Sequence, residues 1–394
     1  MSDRCAQKTC VPLKRRHVLL GGAAVCFSQV VACARPARSF DAVDVLVRDA
    51  VRKGEAPGAV VVIGHDGKIV HRFVYGRRAI FPVSEPLSWD THFDMASLTK
   101  PTMTALSVMQ LVEQGRVGLE DRVSQYFPEF ACNGKGDITI RLLMTHYSGL
   151  PPDVSLNDPW TGKVEGVRRA MTSPLINPPG EKFVYSDINY IMLGLLVEKL
   201  SGFPLDQYVR LNILEPMGMK ESGYLPPSGL RPLIAPTQYD EQGVMLRGVV
   251  HDPTARRMGG VAGHAGFFSD AQDMSLYAQA LLDRLKGRPS RFPLRQETLV
   301  LMTTPHQPAG KTELRGLGWD IDTHYSSPRG DVFSRHSFGH TGFTGTSLWI
   351  DPDSDSYVLI LTNRVHPAGG HSVVRLRHDV ATVAGRALGL NAPV

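Results

Sequence analysis

MASLTKPT, residues 95–102, decides the fold, because it can be read in two ways. A Ser ahead of an apolar run is a common helix N-cap, its oxygen accepting from a backbone N–H that has no intrahelical partner. Ser97 with Lys100 three residues on is equally a nucleophile beside its base, since a helix starting near Leu98 sets the two side chains one turn apart on one face. Pro101 fits both readings, because in a first turn its missing N–H costs no hydrogen bond. The S-x-x-K pattern alone is weak: about one is expected by chance in a chain of this length, and this chain has one. What the cap reading leaves unexplained is Lys100. A Ser hydroxyl attacks only when a base takes its proton, and a Lys withdrawn from water has its pKa lowered toward that task.

The flanking sequence supplies a frame. Behind Ser97, the residues Ala105, Met109 and Val112 recur at helical spacing as far as Gly115, which predicts an amphipathic helix. Upstream, a helical pattern from Asp41 to Val51 precedes PGAVVVIGHDGKIVHRFVYG, residues 57–76, two β-rich runs around an Asp66-Gly67 turn. From about Leu119 to Val249 the chain is rich in Pro, Gly and short helical patterns such as INYIMLGLLVEKLSG, residues 188–202. A helix is expected from Ala271 to Leu285, then β-runs at 335–340, 345–352 and 356–364, and a last helix near Val373 to Leu388. Strands at both ends with helices around them imply an α/β (α+β) fold, an antiparallel sheet flanked by helices. Residues 40–118 and 250–394 are assigned to the α/β domain and 119–249 to an inserted, mostly helical lobe, with the active site in the cleft between them.

Composition sets the bounds. With 394 residues, 42% hydrophobic and 21% charged, the chain has the profile of a folded protein with a sizeable core. The formal net charge is +5, but Arg4, Lys8, Lys14, Arg15 and Arg16 against Asp3 place +4 of it in the first 33 residues. A body of +1 lacks the basic footprint of a nucleic-acid binder. KRRHVLLGGAAVCFSQVVACA, residues 14–34, has the basic start, apolar middle and small-residue end of an export signal, with a twin Arg15-Arg16. Residues 1–33 are therefore read as that signal. Its end fits either cleavage after small residues or a bacterial lipobox with Cys33 as the lipidated residue; the second is preferred, making the protein periplasmic or membrane-anchored. Cys132 is the one other cysteine outside this region, so no disulfide framework is expected.

Two further stretches join Ser97 and Lys100. VYSDINY, residues 184–190, puts Tyr185 in a segment ahead of a helix, and GHTGFTGT, residues 339–346, heads a β-run whose small residues let a substrate backbone approach. Ser97-Lys100, Tyr185 and His340-Thr341-Gly342, in that order, resemble the S-x-x-K, Y-x-N and K-T-G motifs of the serine β-lactamase and penicillin-binding-protein family. The branch it resembles includes class C β-lactamases, DD-carboxypeptidases and related esterases. The resemblance covers residues 40 to 390 and implies the β-lactamase/transpeptidase-like fold. It also implies an acyl-enzyme on Ser97, with Lys100 and a partly ionised Tyr185 sharing the proton. Its oxyanion hole is then made by the N–H groups of Ser97 and Phe343, and Asp187, His340, Thr341 and Gly342 contact substrate. No metal or cofactor is implied. Two positions depart from the pattern: Asp187 stands where the family has Asn, losing its NH2 donors although an ionised Asp187 could instead hold Lys100, with Asn189 two residues on, and His340 stands where the lactamases have Lys. A His there carries the anion-binding charge only when protonated.

HDPTARRMGGVAGHAGFFSD, residues 251–270, resembles a segment of family members that process cell-wall muropeptides. It adds His264 as a candidate substrate contact, while His251 and Asp252 are also compatible with a solvated loop. His336 and His340 are four apart, but they flank a β-run, so the helical geometry of a zinc pair is missing. Ser148 after His146 lacks a nucleophile elbow and reads as a turn. The expected function is an exported serine hydrolase acting on an amide or ester, first a cell-wall peptide as DD-carboxypeptidase or muropeptide amidase. A small-ester hydrolase or β-lactamase is the alternative, and a muropeptide- or β-lactam-binding sensor acylated without turnover is a rival of another class. Oligomeric state is not fixed by the sequence.

Overall fold

The computed structural model describes residues 39–392; the expected export signal and Cys33 lie outside them. Among the described residues there are eleven strands: β1 Gly58–His65, β2 Lys68–Ala79, β3 Glu85–Pro86, β4 Phe93–Asp94, β5 Gly223–Tyr224, β6 Phe267–Ser269, β7 Leu314–Arg315, β8 Asp320–Asp322, β9 Phe338–Thr341, β10 Ser347–Asp351 and β11 Ser356–Thr362. Eight of them form one sheet in the order β3-β2-β1-β11-β10-β9-β8-β7, and β4-β6-β5 form a small second sheet. The paired neighbours in both are antiparallel. The β1–β2 hairpin turns at Asp66-Gly67, and β1 then joins β11 from the far end of the chain, Val61 opposite Ile360.

Alternation along the central strands explains their unbroken apolar runs. Ala59, Val61 and Ile63 of β1, with Val358 and Ile360 of β11, pack against the terminal helices Asp41–Arg52 and Val374–Ala387. Val60, Val62, Leu359 and Leu361 face the other way into a larger core with Leu106, Ile188 and Leu193. A sheet covered on both faces needs apolar residues at every position, not every second one. Between 119 and 249 the chain forms the helices Val123–Tyr126, Ile140–Met144, Lys163–Thr172, Asp187–Ser201, Leu205–Val209 and Glu215–Met217 around the two-residue β5.

The helix behind Ser97 differs from expectation. Residues 106–111 of the helix Leu106–Glu113 are all buried, including Ser107 and Gln110, so it is not amphipathic. Ser107 donates to the Met103 carbonyl (2.7 Å) and the Gln110 amide to that of Asn212 (2.9 Å), while Gln110 Oε1 stays buried without a partner. It is the central helix of the larger core, and its two ends carry the chain from Ser97 to the surface.

Candidate active site

Residues 96–98 form a single tight 3₁₀ turn and 100–105 a π-helical one before the regular helix begins. Wide turns of this kind collect at functional sites. Ser97 is not a cap, since no backbone N–H is held by its side chain. Its Oγ instead accepts from Lys100 Nζ at 2.9 Å. The turn is held in an unusual conformation, Ala96 at φ +46°, a region in which a residue with a Cβ is strained by about 1–3 kcal/mol. The buried Asp94 carboxylate compensates by accepting the N–H of Ala96 (2.8 Å) and of His251 (2.7 Å).

Lys100 is buried; its ammonium donates to Ser97 Oγ at 2.9 Å and to the His264 carbonyl at 3.0 Å, and it forms an ion pair with Asp187 Oδ1 at 2.6 Å. Burial pulls its pKa down, but the charges of Asp187 and Tyr185 outweigh that, and the net direction is up. Tyr185 is half-buried, with its hydroxyl buried and unpartnered and its ring 5.0 Å from Lys100 Nζ. Burial raises the Tyr185 pKa, Lys100 lowers it and Asp187 raises it again. The phenol is therefore neutral at rest, against the expected partial phenolate: burial outweighs the pull of Lys100, and Asp187 adds to it.

β9 delivers His340 and Thr341, and the loop after it is fixed onto the Ser97 turn. Thr344 donates to the Asp94 carbonyl (2.8 Å) and Thr346 to that of Met95 (3.1 Å). At Gly342 the approach is so close that a Cβ would lie 2.6 Å from the Met95 oxygen, so only glycine fits. The N–H groups of Ser97 and Phe343 are not used by the hydrogen bonds of the surrounding turns. Ser97, Tyr185, His340, Thr341, Gly342 and Phe343 all line one cavity of about 430 Å³.

The model of the family described as Beta-lactamase matches residues 43–382 of this chain. The chain belongs to the beta-lactamase family. An N-acetylmuramyl-L-alanine amidase of Bacillus subtilis is 35% identical over 347 residues, 79% of this chain and 78% of that one. A putative D-alanyl-D-alanine carboxypeptidase of Salmonella enteritidis is 34% identical over 314 residues, 70% of each chain. A class C β-lactamase structure superposes with a TM-score of 0.70 at 20% identity, covering 87% of this chain and 94% of its own. The octameric penicillin-binding-protein homologue of Pyrococcus abyssi gives 0.65 at 22%, covering 82% and 73%. The fold is thus β-lactamase/transpeptidase-like, and the protein is a serine hydrolase of the β-lactamase-related type.

Within this beta-lactamase-family site, three of the expected substrate contacts, His340, Asp187 and His264, stand differently, Asp187 in its alternative role of holding Lys100. His340 lines the cavity but is buried, and burial beside Arg315 and Lys100 pushes its pKa well below the usual histidine value. It is a neutral ring, not an anion-binding charge. Asp187 is absent from the cavity wall because its carboxylate is engaged by Lys100. His264 is also absent from that wall. It lies behind Lys100, its Nε2 2.8 Å from Asp252 Oδ1, and neither Asp252 nor the buried His251 belongs to a solvated loop. Asp252 caps the short helix Pro253–Arg257 as well, accepting from Ala255 N–H.

The positive charge at the cavity comes from residues the motifs did not mark. Arg364 and Arg377 line it and have no carboxylate partner among the described residues. Arg377, 6% exposed, donates to the carbonyls of Gly342 and Thr346 at 2.8 Å each and leaves its Nε unpartnered. Burial, with Arg364 nearby, pulls it down to about 9, still a cation at neutral pH. Arg364 donates to the Phe343 carbonyl (2.9 Å) and sits over the Phe343 ring. A third guanidinium, Arg315, is buried against Asp320. Ser372 to Val374, where the last helix begins, complete this end. Lone arginines far apart in sequence carry no pattern, so only the folded chain brings them together.

Proposed function

We propose that this protein hydrolyses an amide bond of a cell-wall peptide through an acyl-enzyme on Ser97, as a muropeptide amidase or DD-carboxypeptidase. The observation that carries this reading is that Ser97 opens into the same cavity as two guanidinium groups without carboxylate partners, Arg364 and Arg377. A buried cation lacking a counter-ion is unfavourable in an empty site and becomes favourable when a ligand supplies the anion. Cell-wall peptides carry carboxylates; a small neutral ester does not. The printed names of the two curated relatives, an amidase of muramyl-L-alanine and a D-alanyl-D-alanine carboxypeptidase, point to the same substrates.

In this mechanism the Lys100–Tyr185 pair, protonated at rest, first releases one proton to solvent; Ser97 Oγ then attacks the carbonyl carbon and its proton passes to the pair. The developing oxyanion is received by the N–H groups of Ser97 and Phe343, oriented in advance by the bolted 342–346 loop. The same pair returns the proton to the leaving amine, and water, activated in its turn, releases the acyl group. Thr341 and the neutral His340 line the substrate's path. The two-lobed arrangement, with 119–249 as the helical lobe, belongs to this proposal, as does export directed by residues 1–33, with Cys33 as a lipid-bearing residue. Radiolabelled palmitate incorporated into the full chain and lost in Cys33→Ala tests the last point.

The deciding experiment follows purified muropeptides and a D-alanyl-D-alanine pentapeptide by mass spectrometry, with Ser97→Ala as control. Release of the peptide from the muramyl group identifies the amidase and release of terminal D-alanine the carboxypeptidase. Neither product, with a penicillin adduct persisting on Ser97, overturns turnover in favour of a sensor; ester cleavage alone overturns the peptide assignment.

A further inference from the structure

His146 is buried completely and takes no part in the chemistry above, yet everything around Tyr185 converges on it. Its carbonyl accepts the N–H of Val184 (2.9 Å) and its ring Nδ1 accepts the N–H of Ser186 (3.0 Å), the residues on either side of Tyr185. Its ring stacks on the Tyr185 ring, centroids 4.4 Å apart and planes 27° apart. Asn189 Nδ2 also lies 3.2 Å from Nδ1, and Asn189 Oδ1 is oriented by Ser148 Oγ at 2.6 Å. His146 itself sits at φ +62°, a conformation a side chain with a Cβ seldom adopts and which persists only where surroundings hold it.

We infer that His146 is the positioning residue for Tyr185, and that Ser148 and Asn189 serve it by fixing its ring. The inference rests on the proposed role of Tyr185 in proton transfer. With two N–H groups directed at Nδ1, the ring proton must reside on Nε2, so the imidazole is neutral in one tautomer. Burial pushes its pKa the same way, and the nearby Arg315, Lys100 and His340 add to it. A neutral acceptor is what the geometry requires: a proton on Nδ1 would face the Ser186 N–H donor to donor and release the segment that carries Tyr185. The Tyr185 hydroxyl has no hydrogen bond of its own, so its place beside Lys100 is set by ring packing, on His146 at 4.4 Å and less closely on Tyr325 and His340 at 5.6 and 5.9 Å, and by its two flanking amides. This also accounts for Asn189, the nearest Asn to the expected Y-x-N position: its amide is turned to His146, not to the cavity.

A double-mutant cycle tests the inference, with hydrolysis of p-nitrophenyl acetate and the rate of fluorophosphonate labelling of Ser97 as two readouts. His146→Phe keeps an aromatic ring against Tyr185 and removes the acceptor; it should slow both rates by at least about tenfold. His146→Asn, which restores an acceptor near Nδ1, should recover part of the loss. In a Tyr185→Phe background, adding His146→Phe should change the rates by no more than about twofold, because the group it positions is already gone. Equal losses in both backgrounds, or no loss in the parent, overturn the inference. If His146→Phe does not fold, His146→Gln enters the same cycle. Should Tyr185→Phe alone leave both rates untouched while Ser97→Ala abolishes them, the Tyr185 assignment fails first and the positioning role falls with it, with the nucleophile intact.

Discussion

Lys100 Nζ lies 2.6 Å from Asp187 Oδ1, closer than to the Ser97 hydroxyl it serves. The family's Asn has here become a counter-ion. Asp187 stabilises the ammonium of Lys100 and also raises the pKa of Tyr185, so it holds both candidate bases in their protonated forms. Asp187→Asn removes that negative charge, and whichever of the two accepts the Ser97 proton then loses its own more readily. The rising limb of the kcat/KM–pH profile is expected to move to lower pH in the variant. An unmoved limb means that neither group controls the rate.

Because the Ser97 oxygen holds no backbone N–H, Ser97→Ala should separate activity from stability. Removing a true Ser cap costs about 0.5–2 kcal/mol. Here the side chain's one hydrogen-bond partner is the buried Lys100, so a loss of no more than about 1.5–3 kcal/mol is expected while turnover disappears. Urea titrations of both proteins, read beside activity, check it; retained turnover in Ser97→Ala restores the purely structural role.

How much of this was legible beforehand depended on the range of the interaction. The hairpin, the helix Ala271–Leu285 and the order Ser97, Lys100, Tyr185, His340 come from local patterns, and the structure contains each element. Environment is another matter. Nothing near His340 in sequence indicates that Arg315 and Lys100 would surround it and keep it neutral, nor that Asp252 and His264, twelve apart, would close on each other behind Lys100. Residues 106–111 read as amphipathic because their polar members, Ser107 and Gln110, find partners only in the folded chain.

The arginine end of the cavity predicts a substrate preference that a single change should erase. Hydrogen bonds to a charged partner contribute about 1.5–3 kcal/mol, or roughly tenfold to hundredfold in affinity. Arg364→Gln should therefore raise KM by that factor for a peptide with a free carboxylate and leave its amidated twin nearly unchanged. Arg364 is preferred to Arg377 for this test, since it holds one carbonyl of the 342–346 loop, that of Phe343, where Arg377 holds two, those of Gly342 and Thr346. Equal losses for both peptides would mean that the guanidinium supports the loop and does not meet the substrate.

The Asp252–His264 pair should show itself in the pH dependence of stability. Asp252 raises the His264 pKa above its ordinary 6.5 against the opposing effect of burial, and its own carboxyl is held well below the usual range, burial again opposing. A histidine raised on folding contributes stability that is fully present below about pH 6.5 and fades as pH climbs through the folded value. In Asp252→Asn burial at His264 is opposed only by the more distant Asp187, so the shift is expected to reverse and stability to be lost in the other direction, as pH falls through about 6.5. The variant should therefore melt well below the parent at pH 5.5 and approach it at pH 9. A difference in melting temperature that stays constant across that range would show that the pair is not ionised in the folded protein, and that Asp252 acts only as the cap of the helix Pro253–Arg257.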